Sequence, residues 1–308
     1  HQGSYLMPLL HHFSDADLNN LKSPNDHVYF SIPFFGLVSY PFDWIWPMFA
    51  LCVFFFVLLL IYGFRRKSLK GNQIAMGFVP ALMALILNGF IGYFSWSVLK
   101  ILYPQFNDML HGFTYNGHSY IAAFVLLSTG ICFWVYSKFK NIRTSNLLVA
   151  PIVLWLLICA AVGDSLKGAS FFIIPVFAIL AAFMVTINQR RPNAYLLVFL
   201  CIPALWLYAP FIKMFPIGLG LKMMVATTVL VTLTFKLVLP VFGFYRKKHR
   251  LAHLCFILFG GLMVYAHFTA GFNSENAKPS SLLYVLDADK NTANWATYDH
   301  KLIAWNEQ

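Results

Sequence analysis

An all-α polytopic membrane protein of about eight transmembrane helices, with short extramembrane α/β remnants at both ends, is the fold class this sequence predicts. Composition is the first reason: 59% of the 308 residues are hydrophobic and only 11% are charged, against roughly 45–50% and about 25% in a soluble domain. The second is that the apolar residues fall in blocks of about 16–28, the length that crosses a hydrocarbon core about 30 Å thick. The third is the alternation of charge between those blocks. In hydrocarbon a helix satisfies its own backbone groups, so each block reads as a spanning helix.

Eight spans follow, at 45–64, 74–101, 119–137, 147–162, 169–187, 194–211, 223–244 and 251–270. The gaps after the first, third, fifth and seventh hold Arg65, Arg66, Lys67 and Lys70; Lys138, Lys140 and Arg143; Arg190 and Arg191; and Arg246, Lys247, Lys248 and Arg250, with no acid among them. All eleven acids lie on the other side, including Asp108, Asp164, and Asp15, Asp17, Asp26, Asp287, Asp289 and Asp299 of the terminal segments. Basic loops stay in the cytoplasm. Both termini are therefore expected on the extracytoplasmic side, as an even number of spans requires. The net charge of +11 is accounted for by these loops. No continuous basic surface or recognition motif points to nucleic acid, which is excluded as a partner.

Cys52, Cys132, Cys159, Cys201 and Cys255 all sit in apolar blocks, tens of residues apart. They read as buried free thiols and form neither a CxxC metal motif nor a disulfide framework. No Asn-x-Ser/Thr sequon occurs. These two features favour a bacterial inner membrane with periplasmic ends; a vacuolar or endoplasmic-reticulum membrane is the eukaryotic equivalent.

The ends differ from the centre. In His1–Phe13, Leu6, Leu9, Leu10 and Phe13 recur at helical spacing and make one apolar face. A polar stop runs from Ser14 through Leu18-Asn19-Asn20, and Val28, Phe30 and Ile32 then alternate with His27, Tyr29 and Ser31 as in a half-buried strand. A helix and a strand without neighbours make no core, so this segment is expected to be the tail of a domain whose body precedes His1. After the last span, Leu282–Leu286 reads as a strand, Asp287–Asn291 as a turn and Ala293–Tyr298 as the returning strand, a β structure unfinished at Gln308. The division is 1–44, 45–272 and 273–308.

Few residues suggest chemistry. Asp108, His111 and His118 share one loop, and a His–carboxylate set of that kind binds zinc; the neighbouring Asn, Gly and Tyr residues equally suit an ordinary membrane interface. Lys236 lies inside the seventh span, where an ammonium costs about 2.5–3.5 kcal/mol and faces a cavity or a partner. Asp164 is one candidate partner. The alternative is that Lys236 snorkels toward the nearby basic loop. Trp44, Trp46, Trp96, Tyr93 and Tyr103 suit an aromatic belt. Pro80, Pro151, Pro175 and Pro203 suit kinked spans. No phosphate loop, HExxH or GxSxG occurs.

Two stretches carry a resemblance. His1-Gln2-Gly3-Ser4-Tyr5-Leu6-Met7-Pro8-Leu9-Leu10-His11-His12-Phe13 resembles the closing helix of a di-zinc exopeptidase domain of peptidase family twenty-eight. The run from Lys278-Pro279-Ser280-Ser281-Leu282 through Leu283-Tyr284-Val285-Leu286-Asp287-Ala288-Asp289 to Ala293-Asn294-Trp295-Ala296-Thr297-Tyr298-Asp299 is similar to the segment after the last span of its membrane-anchored members, the vacuolar membrane proteases and endoplasmic-reticulum metallopeptidases. The resemblance implies a zinc-dependent, aminopeptidase-like parent acting on peptides. Its two zinc ions would polarise the scissile carbonyl and activate water, with a glutamate as general base. In that family the ligands precede the closing helix, so they lie upstream of His1, and His1, His11 and His12 are no substitutes. This chain is then expected to hold no catalytic residue and no zinc, and to anchor its own upstream peptidase domain in the lipid bilayer. The rival expectation is a secondary transporter or channel, which needs a polar pathway near the midplane.

Overall fold

The structure is a computed structural model that describes residues 2–17, 25–32, 36–189 and 191–299, the side chain of Gln2 excepted. His1, the Leu18-Asn19-Asn20 part of the polar stop, Arg190 and the last residues through Gln308 lie outside the described residues. The chain is an all-α polytopic membrane protein. The helices are α1 (Gln2–Ser14), α2 (Ile45–Arg65), α3 (Gly71–Leu102), α4 (Gly117–Lys138), α5 (Thr144–Ser165), α6 (Ile174–Asn188), α7 (Ala194–Leu219), α8 (Met224–Phe242) and α9 (Lys248–Phe268). The strands are β1 (His27–Ile32), β2 (Gly36–Pro41), β3 (Leu283–Asp287) and β4 (Thr292–Ala296). Eight helical stretches, α2 to α9 with α6 extended by the 3-10 turn Lys167–Ile173 before it, are long and apolar enough to cross a membrane.

The bundle has an inside and an outside. Of the α8 span 67% is buried, against 17% for α2 and α9. α4, α5, α6 and α8 therefore form the centre, while α2, α3, α7 and α9 turn Phe54, Ile86, Phe199 and Ile257 outward, as apolar solvent requires. Buried free cysteines are found as expected at Cys52, Cys132, Cys159 and Cys201; Cys255 is half-buried.

Each end is tied by its own loops. At the basic end Ser68 Oγ donates to the Ile187 carbonyl at 3.0 Å. There Tyr62 OH also donates to Asn188 Oδ1 at 2.6 Å, and Asn146 Oδ1 accepts from the Lys70 backbone N–H at 2.9 Å. Lys248 Nζ donates to the carbonyls of Gly243 and Tyr245 at 2.9 and 2.8 Å, a cation at the negative end of α8.

Span limits depart most from expectation in α7, which runs to Leu219 and not to residue 211. The added length contains Pro216, and Pro210 stands just before the expected end. Pro216 lacks the N–H that would serve the Ile212 carbonyl one turn back, but Thr227 Oγ1 donates to that carbonyl at 2.9 Å. A neighbouring span supplies the missing donor, and the helix continues.

The strand expected at His27 is present, but it is not isolated. β1 pairs antiparallel with β2, Val28 opposite Tyr40 and Phe30 opposite Val38. Its inward residues Val28 and Phe30 pack with Ile45, Phe171 and Leu207, and Phe30 stacks on Phe171 at 5.1 Å. The hairpin thus closes the acidic end of the bundle over the turn between α5 and α6. This corrects the expectation of a strand without neighbours: β2 was overlooked because its Leu37, Val38 and Tyr40 do not alternate with polar residues. Burial, together with Cys159 nearby, pushes the Tyr40 phenol up to about 12.

At the other terminus β3 and β4 form the expected hairpin, Tyr284 opposite Trp295. Asp287 Oδ1 accepts from the Asp289 and Lys290 N–H groups, both at 3.1 Å, and Asn291 takes the left-handed conformation (φ 50°) that closes the turn.

Candidate functional site: a buried polar seam

Three spans meet along a line of small and polar side chains. α3 contributes Ala84, Asn88 and Gly92; α4 contributes Ser128, Cys132 and Tyr136; α8 contributes Thr228, Thr232 and Lys236. Each set is spaced by four residues and so forms one stripe along its helix, and every member is buried.

Two contacts fix the register of α3 against α8. A Cβ on Gly92 would collide with Thr228 Oγ1 and lie 2.7 Å from the Val225 Cα, so the two backbones touch there. One turn away Asn88 Nδ2 donates to Thr232 Oγ1 at 2.7 Å. The same nitrogen lies 3.3 Å from the Ser128 carbonyl and 3.6 Å from Cys132 Sγ, which joins α4 to the pair. Thr232 Oγ1 in turn donates to the Thr228 carbonyl at 2.8 Å. The next turn of α3 brings Ala84 level with Lys236.

Helical side chains lean toward the N-terminus of their own helix. The Lys236 stem therefore runs back toward Thr232, and Tyr136 runs back toward Cys132. The Tyr136 ring lies 5.8 Å from that of Phe235, the residue before Lys236, so α4 and α8 are packed together at this turn. Lys236 is 0% exposed, and its Nζ has no hydrogen-bond partner among the described residues. Asn88 Oδ1, Ser128 Oγ and Tyr136 OH are buried and unpartnered as well.

The candidates from sequence are redistributed. Lys236 does not snorkel: a cation reaching the interface would be exposed, and this one is enclosed. Asp164 is not its partner, because it is the penultimate residue of α5 at the acidic end and is exposed, whereas Lys236 stands six residues from the basic end of α8. Asp108, His111 and His118 do not gather into a metal site. Asp108 Oδ2 lies 3.2 Å from Lys278 Nζ, the His118 ring packs edge-on against Phe113 at 5.4 Å, and the His111 carbonyl backs onto Gly220. Among the described residues no group of three or more His, Cys, Asp or Glu is placed to hold a metal ion.

Asn88, Ser128, Tyr136, Thr228 and Thr232 are absent from the sequence candidates, and Cys132 figures there only as a buried thiol. Asn88 carried the available signal, since an amide in mid-span implies a partner on another helix. The seam offers a cation and hydroxyl donors with no carboxylate among the described residues beside them; it suits the holding of negative charge. A second feature, a recess of about 430 Å³ lined by Phe30, Ile32, Ile174, Pro203, Trp206 and Leu207, is almost wholly apolar and has nothing to orient a polar substrate.

Comparison with known protein families, curated proteins and solved structures found no match to this chain.

Proposed function

We propose that the chain is the membrane-anchoring region of a zinc-dependent exopeptidase of the aminopeptidase-like family twenty-eight type, with its catalytic domain upstream of His1 and both ends extracytoplasmic. The observation that supports this reading is the state of the two ends. α1 leaves Leu6, Leu9, Leu10 and Phe13 exposed, and the β3–β4 hairpin leaves Tyr284, Leu286 and Trp295 exposed. A short helix or a lone hairpin is marginal in water, so both apolar surfaces fit an extramembrane domain that covers them. Eight crossings return the chain to the side it left, which suits one domain contacting both segments. The same two segments carry the family resemblance. In this reading the peptide substrate and the two zinc ions belong to the upstream domain, and this chain supplies attachment and orientation at the membrane, a bacterial inner membrane being favoured.

The test uses the polypeptide encoded by the whole reading frame, purified in detergent. It should carry about two zinc ions, as a two-metal hydrolase does, and release the N-terminal residue of aminoacyl amides until zinc is chelated. The 308-residue segment alone should do neither. A whole polypeptide without zinc or hydrolysis, or a segment that hydrolyses by itself, overturns the reading.

A secondary transporter or channel is the second reading, favoured by the enclosed ammonium of Lys236. Lys236→Glu in the intact protein separates the two. Transport would collapse, whereas an anchored peptidase would keep its turnover and lose only stability.

A further inference from the structure

We propose that the seam between α3, α4 and α8 binds one small monovalent anion, of halide size, at the Lys236 ammonium. This site is independent of the anchoring reading. Four buried polar atoms on the seam have no hydrogen-bond partner among the described residues: Lys236 Nζ, Tyr136 OH, Ser128 Oγ and Asn88 Oδ1. Native interiors leave few such groups unsatisfied, so their concentration on one line marks a place built for a guest.

The charge decides the sign of the guest. An ammonium out of water needs an opposite charge beside it, and no carboxylate among the described residues provides one. Asp164 is at the far end of the bundle, and Asp108 is engaged by Lys278. The hydroxyls of Ser128 and Tyr136 can both turn a hydrogen toward an anion. Asn88 is held in one orientation by the three contacts of its Nδ2. The three N–H groups of Lys236, unpartnered among the described residues, are all free to donate to an anion.

Size follows from the packing. The backbones of α3 and α8 touch at Gly92, and Asn88 bridges α3, α4 and α8 one turn away. The close packing there leaves no room for a polyatomic guest, so any ion admitted must be of single-atom size. Lys236 also lies in the half of α8 nearest the basic loops, whose field concentrates anions at that end.

The experiment uses the full chain in detergent, prepared in gluconate and titrated with chloride at constant ionic strength. Chlorine-35 line broadening should saturate and be reversed by bromide. It should disappear in Lys236→Met and weaken about tenfold in Tyr136→Phe, the usual cost of one hydrogen bond to a charged group. It should be unchanged in Thr234→Val, whose buried hydroxyl has no partner among the described residues and lines a separate recess with Thr129 of α4 and Ala209 of α7, off the seam. No saturable broadening in the natural chain, or broadening that survives both Lys236→Met and Tyr136→Phe, overturns the proposal. If Lys236→Met does not fold, Tyr136→Phe decides: undiminished affinity overturns the proposal and a tenfold loss supports it.

Discussion

Thr227 Oγ1 donates to the Ile212 carbonyl at 2.9 Å, the carbonyl that Pro216 leaves without an intrahelical donor. A polar side chain on α8 thus repairs a proline break in α7, and the two spans are coupled by a backbone defect. Thr227→Val should cost about 1 kcal/mol, typical of one hydrogen bond inside a membrane protein. In a Pro216→Ala background the backbone N–H returns and the same substitution should cost close to nothing. Detergent-induced unfolding of the four variants measures this as a double-mutant cycle; equal costs in both backgrounds would disprove the repair.

Asn88 and Thr232 should show a direct coupling. Asn88→Ala removes the donor to Thr232 Oγ1 and opens a small void, so a loss of about 1–2 kcal/mol is expected. Thr232→Val should lose less, because Asn88 keeps its contacts with the Ser128 carbonyl and Cys132. Their coupling energy should lie near the average of about 0.6 kcal/mol for interhelical pairs in membranes and below the maximum of about 1.7 kcal/mol. Additive effects would mean that the 2.7 Å contact contributes nothing.

Two glycines should answer oppositely to the same substitution. Gly92→Ala drives a methyl into Thr228 and against the Val225 backbone, so α3 and α8 must separate and stability should fall by about 1–3 kcal/mol. Gly260 on α9 has nothing within 4 Å of such a methyl. Gly260→Ala should be neutral or stabilising by up to about 1 kcal/mol through helix propensity. Unfolding midpoints of the two variants, taken side by side, check the register of the seam.

The sequence revealed what is local and concealed what joins distant segments. Each span announces itself through a continuous apolar run, and β1 through the alternation of Val28 and Phe30 with polar neighbours. The β3–β4 turn announces itself through Asp287–Asn291. The continuation of α7 through Pro216 is not legible locally, because the residue that makes it possible, Thr227, sits on another helix. The seam was hidden for the same reason: Ser128, Cys132 and Thr232 look like minor interruptions of apolar runs until α3, α4 and α8 bring them together. Lys236 alone was visible, since a charge in a span is conspicuous whatever surrounds it. Asp108 and its two histidines looked like a ligand set because sequence proximity stood in for geometry, and the partner Asp108 finds is Lys278, far along the chain.

That ion pair holds the segment following α9 against the loop between α3 and α4. Asp108 and Lys278 are partly buried, at 15% and 25% side-chain exposure. Nearby Tyr115 OH donates to the Ala277 carbonyl at 2.8 Å, and Asn116 Nδ2 donates to the Ala266 carbonyl at 2.9 Å. Asp108→Asn should cost little in global stability, about 0.5–1 kcal/mol, because solvent still screens the pair. Its local effect should be larger: losing one of the ties that hold residues 270–278 should let that stretch open without unfolding the bundle. Hydrogen exchange should therefore quicken at residues 273–278 and stay unchanged in α4 and α8, and added salt should bring the natural chain toward the variant. Unchanged exchange at 273–278 would show that Tyr115 and the backbone contacts alone hold the segment.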